Sequence, residues 1–390
     1  MGRVSVAIAG FSELDSTSNP FQSSFWAAIK QASGWNPHVF RITIDSENES
    51  PIWTTVTLVM SRRLVLGKVI TYVPFGPDLQ GMELPLAVFL RDVAREMRRF
   101  LPRGTICIRF DLPWYLPEVE DLPELCGRSF RTCGESIQPE GTTRLDLSQG
   151  YEQARMQYRE RARRNIRKAE SKGVVVSQWD GSDEEFKQWY AVYQETARRD
   201  GFAARSEDYL RRFLSYASDA KPDPYMHFGQ RKNSAGQKSY LLEPEAQILE
   251  GISCHLYLAY VENRLAGGTM VMESKNLAVY LFGASLRFDG CSFSYLLQDY
   301  AIRKSCEHNR AVYDFYGISG PKNRGSHLDG LRLFKRSFGG YNCFRQPSTD
   351  FVYKPFSWFF YALFENLRLR IQRRRHPRRI SQQFSVSTEV

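Results

Sequence analysis

The chain has 390 residues, 42% of them hydrophobic and 14% aromatic, with a formal net charge of +10. That length suggests two domains or one large one, and that apolar content excludes a wholly disordered chain. The positive balance favours an anionic partner, whether nucleic acid, a phosphorylated substrate or a membrane surface, without choosing among them. Seven scattered cysteines form no C-x-x-C and the six histidines do not cluster with them, so neither a disulfide framework nor a zinc site is expected. No apolar run reaches the roughly 18 residues a spanning helix needs.

In chain order, "MGRVSVAIAGF" reads as a buried strand rather than a signal segment. Ser24 to Ser33 reads as a helix stopped by Gly34. Residues 38–45 and 52–60 read as strands on either side of the polar turn "SENES", and Val69 to Val73 as a third. Leu86 to Phe100 is a helix with its stripe at Leu86, Phe89, Leu90, Val93 and Met97, and Thr105 to Phe110 is a strand.

A helical section follows. "YEQARMQYRERARRNIRKAESKG" carries a stripe at Tyr151, Ala154, Tyr158, Ala162, Ile166 and Ala169, with Ser148 as N-cap and Gly173 as stop. Between Arg155 and Lys168 its remaining faces hold seven bases, set against Glu152, Glu160 and Glu170. In the next helix, Ser182 and Glu185 fit a capping box and Gly201 closes the C-terminus. Residues 229–247 read as an exposed insertion loop.

The second half repeats the order of the first. Leu256 to Val261 and Thr269 to Met272 form a hairpin around "ENRLAGG"; Leu277 to Phe282 is a strand, Ser292 to Glu307 a helix and Ala311 to Ile318 a strand. Hairpin, strand, helix and strand thus occur twice. The expectation is an α/β (α+β) fold of tandem GNAT-like (acyl-CoA N-acyltransferase-like) units with a basic helical section between them. The domains expected are 1–147, completed by residues near 341–355, and 148–340, which includes the basic helices 149–200. A separate aromatic and arginine-rich segment at 351–380 and a flexible tail at 381–390 follow.

In "YDFYGISGPKNRGSHLDGLRLFKRSFGG", Leu331, Phe334 and Phe338 share one helical face, and Lys335 lies on the same stripe. Burying an ammonium is costly unless it is paired or employed. Two readings stand: a lysine snorkelling from the stripe edge, or a functional cation. No Walker loop, nucleophile elbow or metal-ligand spacing occurs. "GASLRFDGCSFS" and "PFGPDLQGME" also lack the compact glycine-rich loop that would hold an acyl-CoA pyrophosphate, so the fold is expected without that cofactor.

Six stretches resemble the FemABX family. They are "PFQSSFWAAIKQASGW" (20–35), "YVPFGP" (72–77), "RNIRKAESKGV" (164–174), "ETARRDGF" (195–202), "YLFGAS" (280–285), and "YDFYGI" (313–318) followed by "GLRLFKRSFGG" (330–340). The resemblance implies a tRNA-dependent aminoacyltransferase that adds an amino acid to the stem peptide of a peptidoglycan precursor, UDP-linked or lipid-linked. Aminoacyl-tRNA would be the co-substrate, with no further cofactor and no metal. It implies functional roles for Lys335, with Phe334 beside it, in stabilising the oxyanion or contacting the terminal nucleotide of the tRNA, and for Asp111 as proton acceptor or nucleophile orienter. For Asp111 a turn-organising role is the alternative, because Leu112 separates it from the expected proline.

Lys30 and Arg199 resemble pyrophosphate-holding positions, and Tyr72, Tyr280 and Tyr316 resemble residues near the substrate channel. A solvated helix face is the alternative for Lys30, a core position for Tyr72 and Tyr280, and a loop-organising role for Tyr316. Arg159, Arg163, Arg164, Arg167 and Lys168 could grip a tRNA backbone, or simply face solvent. The aromatics and arginines of 356–379 suit an anionic membrane surface or tRNA. A cytoplasmic monomer, peripheral on the inner face of the plasma membrane, is the expected setting. A CoA-dependent N-acyltransferase and a non-enzymatic RNA- or membrane-binding protein are the competing functions.

Overall fold

A computed structural model describes residues 3–16, 18–45, 51–113, 115–117, 125, 129–133, 136–215, 251–318 and 329–375. The "SENES" turn, the insertion loop at 229–247 and the tail at 381–390 lie outside the described residues.

The first run of elements is β1 (Arg3–Ile8), α1 (Ser24–Gln31), β2 (Asn36–Asp45), β3 (Pro51–Arg63), β4 (Val69–Val73), α2 (Leu86–Met97) and β5 (Thr105–Phe110). Short strands β6 (Tyr115–Pro117), β7 (Phe130–Thr132) and β8 (Gly141–Asp146) follow. Then come α3 (Tyr151–Met156), α4 (Glu160–Ser171), β9 (Val175–Gln178), α5 (Asp183–Asp200) and α6 (Glu207–Ser215). The last run is β10 (Ser253–Val261), β11 (Arg264–Glu273), β12 (Leu277–Ser285), α7 (Phe293–Glu307), β13 (Val312–Asp314), α8 (Asp329–Arg336), β14 (Tyr341–Phe344), β15 (Thr349–Val352) and α9 (Pro355–Arg375).

These strands make two sheets, ordered β1-β2-β3-β4-β5-β15-β7 and β6-β14-β8-β13-β12-β11-β10-β9. Each contains an antiparallel hairpin and a third strand, followed by a helix that crosses to a parallel fourth: β4 to β5 through α2, and β12 to β13 through α7. The repeated order is therefore real, and the fold is a tandem GNAT-like one. The sheets do not part at residue 147. Strand β8 pairs with β13 and β14 in the second sheet, and β14 belongs there too, whereas β15 returns to pair with β5 in the first.

Strand alternation sorts the core into layers. Leu58 and Met60 of β3 join one cluster while Val59 joins another; Leu256 and Leu258 of β10 join one while Tyr257 and Ala259 join another. One cluster draws Leu58, Met60 and Tyr72 of the first sheet together with Leu258, Met270 and Val279 of the second, and with α1, α5 and α6. Helices α4 and α7 cover the far face of the second sheet, and α2 that of the first.

Four local expectations change. The hairpin between β10 and β11 turns on Glu262 and Asn263 alone, both at positive φ (51° and 58°), so most of "ENRLAGG" is strand. The strand expected to run to Ile318 ends at Asp314, because Tyr316 takes φ 43° and donates its N–H to Asp314 Oδ1 at 2.8 Å. The basic helix is two helices, and its N-cap is Gly150 rather than Ser148. The break follows from packing: Arg159 N donates to Ser337 O at 2.8 Å, and a Cβ on Gly339 (φ +83°) would lie 2.2 Å from Gln157 O. Last, Leu331 is 44% exposed, so the apolar stripe of α8 reaches only Phe334 and Phe338.

Candidate active site between the two sheets

The ends of β4 and β5 place Tyr72 and Asp111 side by side, and the Tyr72 hydroxyl donates to Asp111 Oδ2 at 2.7 Å. The same oxygen accepts Gln138 N–H at 3.1 Å, while Oδ1 accepts the Ser348 hydroxyl and lies 3.2 Å from Arg345 Nη1. Both oxygens are thus engaged and the carboxylate is fully buried. This geometry supports the turn-organising reading of Asp111, which holds residues of both sheets in place and has no acceptor position left for a substrate proton. Burial beside Asp111 raises the Tyr72 phenol well above its ordinary range.

Gln138 carries the chain of contacts onward. Its Oε1 accepts the hydroxyl of Tyr316. Tyr316 stacks on Phe21 at 5.5 Å, and Phe21 in turn meets Phe75 at 4.8 Å. The Tyr316 carbonyl accepts Lys335 Nζ, as does the Gly317 carbonyl at 2.7 Å. The same amine sits 5.6 Å from the ring centre of Tyr280. Five of the singled-out residues, Tyr72, Asp111, Tyr316, Lys335 and Tyr280, therefore form one connected row from the first sheet to the second.

Lys335 is 3% exposed. Desolvation pushes its pKa down to about 7, and Asp314 pulls weakly the other way. Its acceptors among the described residues are two carbonyls, not a carboxylate. An ammonium has three N–H donors, so among the described residues one is left without an acceptor. Asp314 is already held by Thr142, by Arg144 Nε at 2.9 Å and by Tyr316 N. A snorkelling lysine would reach water; this one does not.

The other singled-out residues lie around this row. Phe334 packs into an aromatic cluster, edge-on to Tyr295 at 4.9 Å and Phe338 at 5.4 Å, so it positions α8 instead of lining the amine. Lys30 is no solvated helix position: its amine lies 4.4 Å above the Trp26 ring and bonds Tyr209 Oη at 3.0 Å. Burial, then Arg205, pushes its pKa down to about 7. Trp26 meets Phe21 at 4.9 Å, which joins this cage to the row through the Phe21–Tyr316 stack. Arg199 grips Asp200 at 2.7 and 2.9 Å and the carbonyl of Ser285 at the end of β12; it touches none of the row.

Arg159, Arg163, Arg164, Arg167 and Lys168 are all exposed. Their helix is tied to α7 through Arg161 Nε, which bonds Tyr295 Oη at 2.9 Å, and to the end of α8 through the Arg159–Ser337 backbone bond. The basic face therefore begins where the helix bearing Lys335 ends.

Three features escaped the sequence reading. Arg345, fully buried, bonds Pro139 O at 2.8 Å and the Gln138 carbonyl as well as Asp111. Arg109 is clamped by Asp350 and Glu365. His255, Glu273 and His308 bring three ligand-type atoms within 4.8 Å of one another. Arg310 Nε, however, lies 3.1 Å from the Glu273 oxygen that bonds His308 Nδ1 at 2.9 Å. A guanidinium there occupies the place of a cation, so the group is an ion-pair cluster, and the bond to Glu273 raises the His308 pKa.

The FemAB family model matches residues 126–221 and 257–365. The protein named Aminoacyltransferase FemB, in two strains of Staphylococcus epidermidis, is 23% identical over 244 residues, which is 55% of this chain and 57% of that protein. The matched part thus spans little more than half the length of these relatives. The crystal structure of FemX superposes with a TM-score of 0.65 over 92% of this chain and 99% of that one, at 16% identity; the likeness is one of fold.

Proposed function

The chain belongs to the FemAB family, and from that premise we propose that it is an aminoacyltransferase that moves an amino acid from aminoacyl-tRNA to the stem peptide of a peptidoglycan precursor. The observation that carries this reading is the buried Lys335 amine, with two donors on backbone carbonyls and, among the described residues, no acceptor for the third. In such a reaction the acceptor amine attacks the ester carbonyl. A C–N bond forms, the C–O bond to the tRNA ribose breaks, and the amine proton passes to the departing ribose hydroxyl. An ester is already activated, so positioning and oxyanion stabilisation carry most of the acceleration. Lys335 supplies the charge for the oxyanion, and Tyr316 and Gly317 fix the amine in place. The exposed arginines of α4, next to α8, provide a phosphate-binding face of the kind a tRNA acceptor arm requires.

The test incubates the protein with charged tRNAs and with lipid-linked and UDP-linked precursors, then weighs the product. The expected product is heavier by one aminoacyl residue and requires charged tRNA. Absence of product with every charged tRNA, together with turnover of acetyl-CoA, would overturn the reading.

A further inference from the structure

Helix α9 presents its sides the wrong way round for a surface helix. Its inner side is fixed to the first sheet by polar contacts. Trp358 Nε1 donates to Asp350 Oδ2 at 2.8 Å and Glu365 receives Arg109 at 2.8 and 2.9 Å, while Tyr361 Oη braces Glu365 Oε1 from within the helix at 2.8 Å. Its outer side carries Phe356, Phe359, Phe360, Leu363, Phe364 and Leu367, all exposed, with Phe356 at 83% and Phe364 at 68%. Spacings of three and four residues put these on one helical face. Exposing such a row to water is costly, and contiguous apolar patches of this kind mark interaction surfaces.

The sequence of the same segment says what fits there. Seven arginines lie between Arg368 and Arg379, and no acid occurs from Asn366 to Thr388. Among the described residues no helix is long and apolar enough to cross a membrane. A second copy would bring the same positive run and no acid to meet it. We propose that α9 lies flat on an anionic lipid bilayer, its phenylalanines in the headgroup region and its arginines on the lipid phosphates. The Trp358–Asp350 bond and the Arg109–Glu365 pair set the helix against the sheet, so docking orients the whole protein on the surface.

The inference does not depend on aminoacyl transfer, because binding is measured without substrate. Full-length protein is floated with phosphatidylglycerol–phosphatidylcholine vesicles and with phosphatidylcholine alone. Binding to the anionic vesicles is expected to exceed binding to the neutral ones by at least about tenfold and to weaken with salt. The triple change Phe356→Ser, Phe360→Ser, Phe364→Ser should weaken it by about a hundredfold or more. The triple change Arg373→Gln, Arg374→Gln, Arg375→Gln should weaken binding to anionic vesicles alone, by about a hundredfold at low salt. The wild-type lipid dependence stands as a test even if a variant fails to fold. Equal or absent binding to the two vesicle types would overturn the proposal. So would a dimer that the phenylalanine changes disperse while vesicle binding is unaltered.

Discussion

Two buried cations occupy equivalent depths in different regions and are compensated differently. Beneath α9, Arg109 meets Asp350 at 2.7 and 3.0 Å and Glu365 at 2.8 and 2.9 Å, so the guanidinium is answered by two carboxylates through fork-to-carboxylate bonds. Beneath the far sheet's α8, Lys335 meets two carbonyl dipoles and the Tyr280 ring, and no carboxylate bonds it among the described residues. The first arrangement raises the pKa of its cation well above the ordinary range; the second depresses it to about 7. A protein building stability pairs its buried charges, and one building a reactive site leaves a charge short of partners.

That contrast can be broken at either end. The largest effect is expected from Arg109→Met, which leaves the buried Asp350 carboxylate and the half-buried Glu365 without their shared guanidinium. Urea unfolding should show a loss of ~3–5 kcal/mol. Lys335→Met should lower kcat by about a hundredfold to a thousandfold, ~2.7–4 kcal/mol in the barrier. The same variant should equal or exceed wild type in stability at neutral pH, because a desolvated amine has been removed. If Lys335→Met instead unfolds the protein while Arg109→Met is harmless, the assignment of roles is reversed.

A smaller effect sharpens the comparison through pH. The folded pKa of Lys335, about 7, lies below its ordinary value of 10.5, so the unfolded chain binds more protons between those limits. Wild-type stability, measured against Lys335→Met, should therefore rise with pH from about 7 to about 10.5 by at most ~1.4 kcal/mol per unit. Below about 7 the difference should be flat. The least effect on stability belongs to Arg163→Gln, Arg164→Gln and Arg167→Gln, exposed positions expected to change it by within ~0.5 kcal/mol. Their signature is in binding: each should reduce the salt slope of tRNA affinity by roughly 0.7–0.9.

Much of the scaffold was legible because its signals are local. Val69–Val73 and Thr105–Phe110 are strands over the residues read from sequence, as compact β-branched and aromatic runs between turns should be. Ser182 caps α5 through Glu185 N, and Gly201 closes it at φ +74°. The strands β8, β14 and β15 were not legible. "GTTRLD", "YNCF" and "TDFV" are short and partly polar, and they are strands because of partners remote in sequence. Lys335 could be found because a cation stood on an apolar stripe. Gln138 and Arg345 could not, since their bond joins residues 207 apart. Arg109 did leave a sign, a lone charge inside "TICIRF", which the strand reading passed over.

The return of β15 to the first sheet has a consequence for synthesis. As the polypeptide leaves the ribosome, β5 emerges early, and its neighbour arrives only after a further 241 residues separate Arg109 from Asp350. Until then β5, buried along its whole length in the finished fold, offers an unpaired edge. The first sheet therefore gains its β5–β15 and β15–β7 pairings only after the second half of the chain has been made.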